Sequence, residues 1–213
     1  MSRVHGTENT QPLQQSTSTS ATDRPGAAAH LLQGVKITFS PRIPPAMAKR
    51  FNARLLEQLS TKAAYVKDHE KDQVNRFRVS MSSNSIARNA EGKVPLKQLL
   101  DPKVTYLWSL NKPRAGELPE LVIGVEHPDN KKNLMGHATL FASDEAKNAI
   151  VAGELMFEKN DWVIDNCSGR FGRGNTAAMD KHDLLQLDLV DLAQAYFNDN
   201  TDLHIAHAYH VGK

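Results

Sequence analysis

The strongest constraint on this chain is the stretch 149–174, which reads AIVAGELMFEKNDWVIDNCSGRFGRG. Val151, Leu155 and Phe157 fall on one face at period two, and Ala152, Glu154 and Met156 on the other. That alternation predicts a strand. Lys159, Asn160 and Asp161 supply the turn, because Asn and Asp tolerate left-handed backbone angles. Trp162, Val163 and Ile164 restart a strand-favouring run. A hairpin follows, and with it a sheet that the rest of the chain must cover. Beyond Ile164 the apolar pattern stops at Asp165-Asn166-Cys167-Ser168-Gly169-Arg170. Gly169, Gly172 and Gly174 permit a sharply turned loop. A polar loop at a strand end is a natural place for a site. The alternative is that Asp165, Asn166 and Ser168 bond the amides of their own turn.

With 213 residues the chain has room for one main domain and a tail. Its apolar share of 40% and charged share of 23% suit a globular protein with an ordinary core. The net charge of +2 offers no electrostatic case for nucleic acid, and no nucleic-acid-binding motif is present. A single cysteine, Cys167, excludes an internal disulfide framework and a cysteine-rich zinc site. No apolar run approaches the roughly 18 residues of a membrane span. The start of the sequence lacks the basic-then-apolar layout of a cleaved secretory signal.

Residues 1–34 are expected to be a disordered tail, since residues 11–23 hold one large apolar side chain among Gln, Ser and Thr. The remainder, 35–213, is expected to form a single domain. Residues 35–39 read as a strand closed by Pro41, Pro44 and Pro45. Residues 46–65 read as a helix, with Phe51, Leu55, Leu56 and Leu59 at three- and four-residue spacing and a solvated basic face. Residues 66–73 read as a charged loop. Strands are expected at 74–81, 104–110, 121–125 and 136–141, and after the hairpin at 203–211. Residues 177–198 read as one helix with a broad stripe from Leu184 and Leu185 to Phe197. The total is an α+β fold, a mainly antiparallel twisted sheet of about seven strands with two main helices.

Gly136-His137-x-Thr139-Leu140, Ala152-Gly153-Glu154-Leu155 and Asn166-x-Ser168-Gly169-Arg170-Phe171 resemble a module of bacterial secreted effectors and polymorphic toxins. The likeness covers roughly residues 106–173. In that module the last motif usually ends in His-Tyr, where this chain has Arg170-Phe171. The polar tail is similar to the uncleaved export segment of type III effectors. The resemblance implies a protein secreted without a cleaved signal peptide, acting in a host cytoplasm on a host protein. A secretion chaperone is a further expected partner. It implies no particular reaction.

Within the module, His137 is a candidate general base, its unperturbed pKa lying near neutrality. The alternative is a structural hydrogen-bonder. Glu154 either faces a cleft or forms a cross-strand ion pair. Asp165 joins them as a candidate catalytic residue, with Asn166, Ser168 and Arg170 as binding residues; Arg170 suits a phosphate or carboxylate. A nucleophilic Cys167 would need a base and an orienting acid, but the motif of cysteine effectors is absent. His204, His207 and His210 cannot share one face of a strand, so no metal site is assigned.

Two classes of function follow. The first is an enzyme similar to ADP-ribosyltransferases, with NAD as the candidate cofactor. Such transferases carry an Arg on an early strand, a Ser/Thr strand motif and a late glutamate. Arg78 with Ser80, and Glu154, match these, though the chain has no Glu-x-Glu or Gln-x-Glu. The second is a non-enzymatic effector or adaptor that binds a host protein through the loop 165–174.

Overall fold

The computed structural model describes residues 50–71, 89–112, 119–126, 135–141, 148–171 and 175–209. The expected tail, the strands at 35–39 and 74–81, and Arg78 with Ser80 lie outside the described residues.

Six strands form one sheet: β1 (Thr61–Lys62), β2 (Tyr106–Asn111), β3 (Glu120–Val125), β4 (Asn148–Glu158), β5 (Asp161–Asp165) and β6 (Ile205–Tyr209). The order is β3-β2-β4-β5-β6, with β1 also paired to β4. All pairs are antiparallel except β5–β6. Three α-helices are described: α1 (Ala53–Leu59), α2 (Thr176–Lys181) and α3 (Gln186–Asn200). The fold is α+β with a mixed, mostly antiparallel sheet.

The hairpin forms where its chemistry predicts. Lys159 and Asn160 take φ of 50° and 71°, so two left-handed residues turn the chain and Asp161 already pairs with Glu158. The alternation within β4 has one interruption. Leu110 pairs with Val151 and Asn111 with Ala149, so Ile150 is an extra, bulged residue. The bulge lets Ile150 and Val151 both join the main core, while Ala149 turns to the opposite face. β6 lies parallel to β5 because a helical crossover, α2 and α3, separates them.

Three expectations are corrected. The helix expected over 46–65 is described only as Ala53–Leu59. Asn52 caps its start through Leu55 N at 2.9 Å, and Ser60 turns extended so that β1 can pair with β4. The helix expected over 177–198 is two helices. Asp183 adopts φ of 54°, which ends the first. The second starts with Leu185 N donating to Asp188 Oδ2 at 2.8 Å. Leu185 and Leu187 are therefore exposed rather than part of the apolar stripe. The strand expected at 136–141 is a 3₁₀ turn, His137–Leu140.

The main core lies on the α3 side. Trp108, Leu110, Leu155, Trp162 and Ile164 from the strands meet Leu189, Leu192, Ala193, Tyr196 and Phe197. Trp108 stands edge-on to Phe197 with ring centroids 5.9 Å apart. A smaller cluster covers the other face: Leu107, Val122, Ala149 and Ala152 against Leu140, Phe141 and Phe171. The candidate site belongs to this second face.

Candidate functional site

The far edge of β4 is shared. It pairs with β1 at Asn148 and Ala149 and with β5 from Leu155 onward. Between them, the Asp165 side chain takes the place of a strand for Glu154 N. His137 Nε2 lies 2.9 Å from the Gly153 carbonyl oxygen. Glu154 N donates to Asp165 Oδ1 at 2.8 Å, and Cys167 N donates to the same oxygen at 2.8 Å. Two of the sequence-nominated residues, His137 and Asp165, thus bond the two opposite ends of the Gly153–Glu154 peptide unit.

The motif spacings acquire a local cause. In Gly-His-x-Thr, Thr139 donates to the Gly136 carbonyl from its N at 2.9 Å and its Oγ1 at 2.7 Å, which closes the turn that aims His137. Gly136 has no room for a side chain, because a Cβ would collide with Glu70 Oε1 and sit 2.8 Å from Arg170 Nη2. Gly153 is equally confined: a Cβ there would collide with the Asp165 carbonyl and come within 2.8 Å of Asn166 Cα. In the last motif, Ser168 Oγ accepts from Phe171 N at 3.2 Å. Phe171 packs on Phe141, with centroids 5.4 Å apart. Its ring fills the smaller core, a task for which a phenol oxygen is not required.

Arg170 is engaged inside the protein. Its Nη1 and Nη2 donate to Glu70 Oε2 and Oε1 at 2.7 and 2.9 Å. Glu70 is fully buried and also accepts from Lys67 N and Gly136 N, each at 2.9 Å. Burial pushes the Glu70 carboxyl up, but the guanidinium and the two N–H groups outweigh it and hold it below its ordinary value. Burial likewise opposes the charge on Arg170, and Glu70 more than restores it. The guanidinium lies over the Tyr65 ring, 4.6 Å from its centroid. The carboxylate-binding fork of Arg170 is therefore filled by Glu70, and an external anion would meet only the rest of the group.

These elements enclose a pocket of about 200 Å³, lined by Leu107, Met135, His137, Glu154, Cys167 and Arg170 with Tyr65, Lys67 and Glu126 among its further walls. His137, Glu154 and Arg170, nominated from three separate segments, come together here. Asp165 stands behind Glu154. The Glu154 side chain is half-buried and has no cationic partner among the described residues. Burial, then Asp165 and Glu126, raise its pKa to about 7. Its cross-strand neighbour is Leu107, so the ion-pair alternative is not realised. Burial keeps the His137 ring neutral, its pKa lowered to about 4. Burial also raises the Asp165 carboxyl, against its two backbone bonds. A pocket carboxyl that titrates near neutrality is equipped for proton transfer.

Asn166 and Ser168 are buried beside the strand end, whereas Cys167 is exposed and free of any disulfide. His204 and His207 are exposed, and His210 lies outside the described residues. Among the described residues no group of three or more His, Cys, Asp or Glu could hold a metal ion, and no helix is long and apolar enough to cross a membrane. Glu70, Tyr65 and Glu126 were not singled out by sequence. Glu70 sits in the charged run 66–73, read as a charged loop, and nothing in that run marks it as buried. The only hint is remote: Arg170, flanked by glycine and phenylalanine, needs an acidic partner. No family model, curated protein or solved structure matches the chain.

Proposed function

We propose that this chain is a secreted bacterial effector or toxin-like enzyme that modifies a host protein, with Glu154 as its catalytic carboxyl group. One observation carries the reading. The motif segments 136–140, 152–155 and 165–171 converge on one pocket, and all but one of their pocket-facing acidic and basic side chains have internal partners. His137 bonds Gly153 and Arg170 bonds Glu70. Among the described residues, Glu154 alone of these presents a carboxyl without a cationic partner to the pocket, its pKa raised to about 7. Keeping such a group without a counter-charge costs stability, and catalytic acids and bases are where that cost is met.

The reaction class most consistent with a late, pocket-facing glutamate is transfer from NAD. In that reaction a carboxylate stabilises positive charge developing on the sugar as nicotinamide leaves. The adaptor alternative has less to stand on, since Asp165, Ser168 and Arg170 of its binding loop are engaged within the protein.

Incubating the full chain with labelled NAD and eukaryotic lysate tests the reading. Label on a lysate protein, lost in Glu154→Gln while the variant melts no lower than wild type, is the expected result. Equal transfer by the variant removes Glu154 from the chemistry. No transfer, with stable retention of one host protein by both wild type and Glu154→Gln, replaces the enzyme by the adaptor.

A further inference from the structure

His137 has two ring nitrogens, and only one has work inside the protein. Nε2 meets the Gly153 carbonyl at 2.9 Å. A carbonyl oxygen only accepts, so Nε2 carries the proton and Nδ1 carries a lone pair. The ring is only 7% exposed, and that exposure opens on the pocket it lines. No hydrogen-bond partner for Nδ1 occurs among the described residues. Nδ1 is thus open to the pocket, where water or a ligand supplies its donor.

The neighbouring groups sharpen what that donor is. Glu154 and Glu126 both line the pocket, and carboxylates accept only. Asp165 adds negative potential through its contact with Glu154 N. On the donor side stand Lys67, exposed on the rim, and Arg170, whose two terminal nitrogens bind Glu70. Among the described residues the pocket interior thus offers mostly acceptors, with Leu107 and Met135 as apolar wall. Its volume is about 200 Å³. That is room for a small planar or tetrahedral cation and a short methylene stem.

We propose that this pocket holds a cationic N–H donor of the substrate, a guanidinium or primary ammonium group, between the Glu154 carboxylate and His137 Nδ1. The proposal rests on the reading of the pocket as the substrate site and names the chemistry of what enters it. The cation takes the place of the proton that burial, and then Asp165 and Glu126, otherwise hold on Glu154. Because burial raises the free carboxyl to about 7, binding there at pH 7 releases a fraction of a proton. A guanidinium can give parallel N–H bonds to a carboxylate, whereas an ammonium acts as a point charge. The two sources are separable by experiment.

Calorimetric titration of the full chain with methylguanidinium, ethylammonium and pyrophosphate, at pH 7 in two buffers of different ionisation enthalpy, tests this. The expected result is saturable binding of at least one cation with net proton release, weakened at least about tenfold in Glu154→Gln. The ring ¹⁵N resonance of His137 Nδ1 should move on binding in the wild type, which avoids His137 variants that lose the Gly153 bond. The stronger of the two cations identifies the head group. Saturation by neither cation, binding undiminished in Glu154→Gln, or tight pyrophosphate binding in their stead overturns the proposal. Labelling from NAD is a separate measurement. Its survival alongside failed cation binding sinks only the ligand chemistry, and its absence alongside successful cation binding sinks only the reaction.

Discussion

One face of the sheet gathers Trp108, Leu155 and Ile164 with the apolar side of α3; the other sets Leu107, Val122 and Ala152 against the His137–Leu140 turn and Phe171. Among the described residues, each face also carries a guanidinium–carboxylate fork in which the carboxylate caps a helical turn. On the α3 side Arg50 meets Asp188 at 2.7 and 2.8 Å, and Asp188 accepts from Leu185 N. On the other side Arg170 meets Glu70 at 2.7 and 2.9 Å, and Glu70 accepts from Lys67 N. The bonds are alike and the surroundings are not. The Arg50 side chain is 49% exposed, whereas that of Arg170 is 7% exposed and that of Glu70 wholly buried. The α3 face is therefore held by apolar area with its ion pair at the margin. The site face has a smaller apolar cluster and relies on a buried polar network to hold its shape.

The largest effects should come from breaking each face by its own means. Trp162→Ala removes a ring packed between Tyr106 and Phe157, at centroid distances of 6.3 and 5.4 Å. It should cost about 3–5 kcal/mol in urea unfolding. Arg170→Ala should cost a similar amount, about 3–5 kcal/mol, because it leaves the buried Glu70 carboxylate without its counter-charge. The sharper comparison is the paired change Glu70→Met with Arg170→Met. It should recover much of that loss, since a buried ion pair replaced by apolar groups is often neutral. If Arg170→Ala unfolds at the wild-type urea concentration, the site face does not depend on this pair.

Next in size is a pH effect confined to the site face. Glu154 titrates at about 7 in the folded protein against an ordinary 4.5. A raised carboxyl pKa means that the folded state keeps a proton the unfolded chain releases. Its contribution is complete below about pH 4.5 and is lost as pH rises through about 7. Relative to Glu154→Gln, wild type should therefore lose stability between pH 5 and 8, on the order of 1–2 kcal/mol once solvent screening of a half-buried group is allowed for. A stability difference flat across that range would mean that Glu154 is freely solvated.

The contrast between the faces also governs what could be read in advance. The hairpin, β2, β3 and the apolar pattern of α3 were legible, because period and turn chemistry act over a few neighbouring residues. The break at Asp183 was not, since a left-handed Asp inside an apolar run leaves no gap in the pattern. On the site face, His137, Glu154 and Arg170 could be nominated, yet their partners could not. Glu70 lies 100 residues from Arg170 in the chain, and its burial comes from tertiary contacts rather than from the charged residues beside it. Gly136 and Gly153 stood out only as motif letters. Their cause, lack of room beside Glu70 and beside Asp165, exists only once β4, β5 and the turn are assembled.

The smallest expected effect isolates burial as the variable. Arg50→Ala removes a fork of the same geometry as that of Arg170, but from a side chain half in water. The charge it strands on Asp188, a side chain 12% exposed, keeps the Leu185 N–H and gains water where the half-exposed arginine lay. Exposed pairs contribute about 0.2–1 kcal/mol, and the loss should fall in that range and shrink in high salt. Asp188→Ala should cost more than Arg50→Ala, since it also uncaps the start of α3, a loss of about 0.5–2 kcal/mol by itself. A double-mutant cycle across Arg50 and Asp188, set beside one across Arg170 and Glu70, then measures what burial adds to a single bonding pattern. Equal coupling energies in the two cycles would show that desolvation does not distinguish them, and that the site face is stabilised by the same means as its opposite.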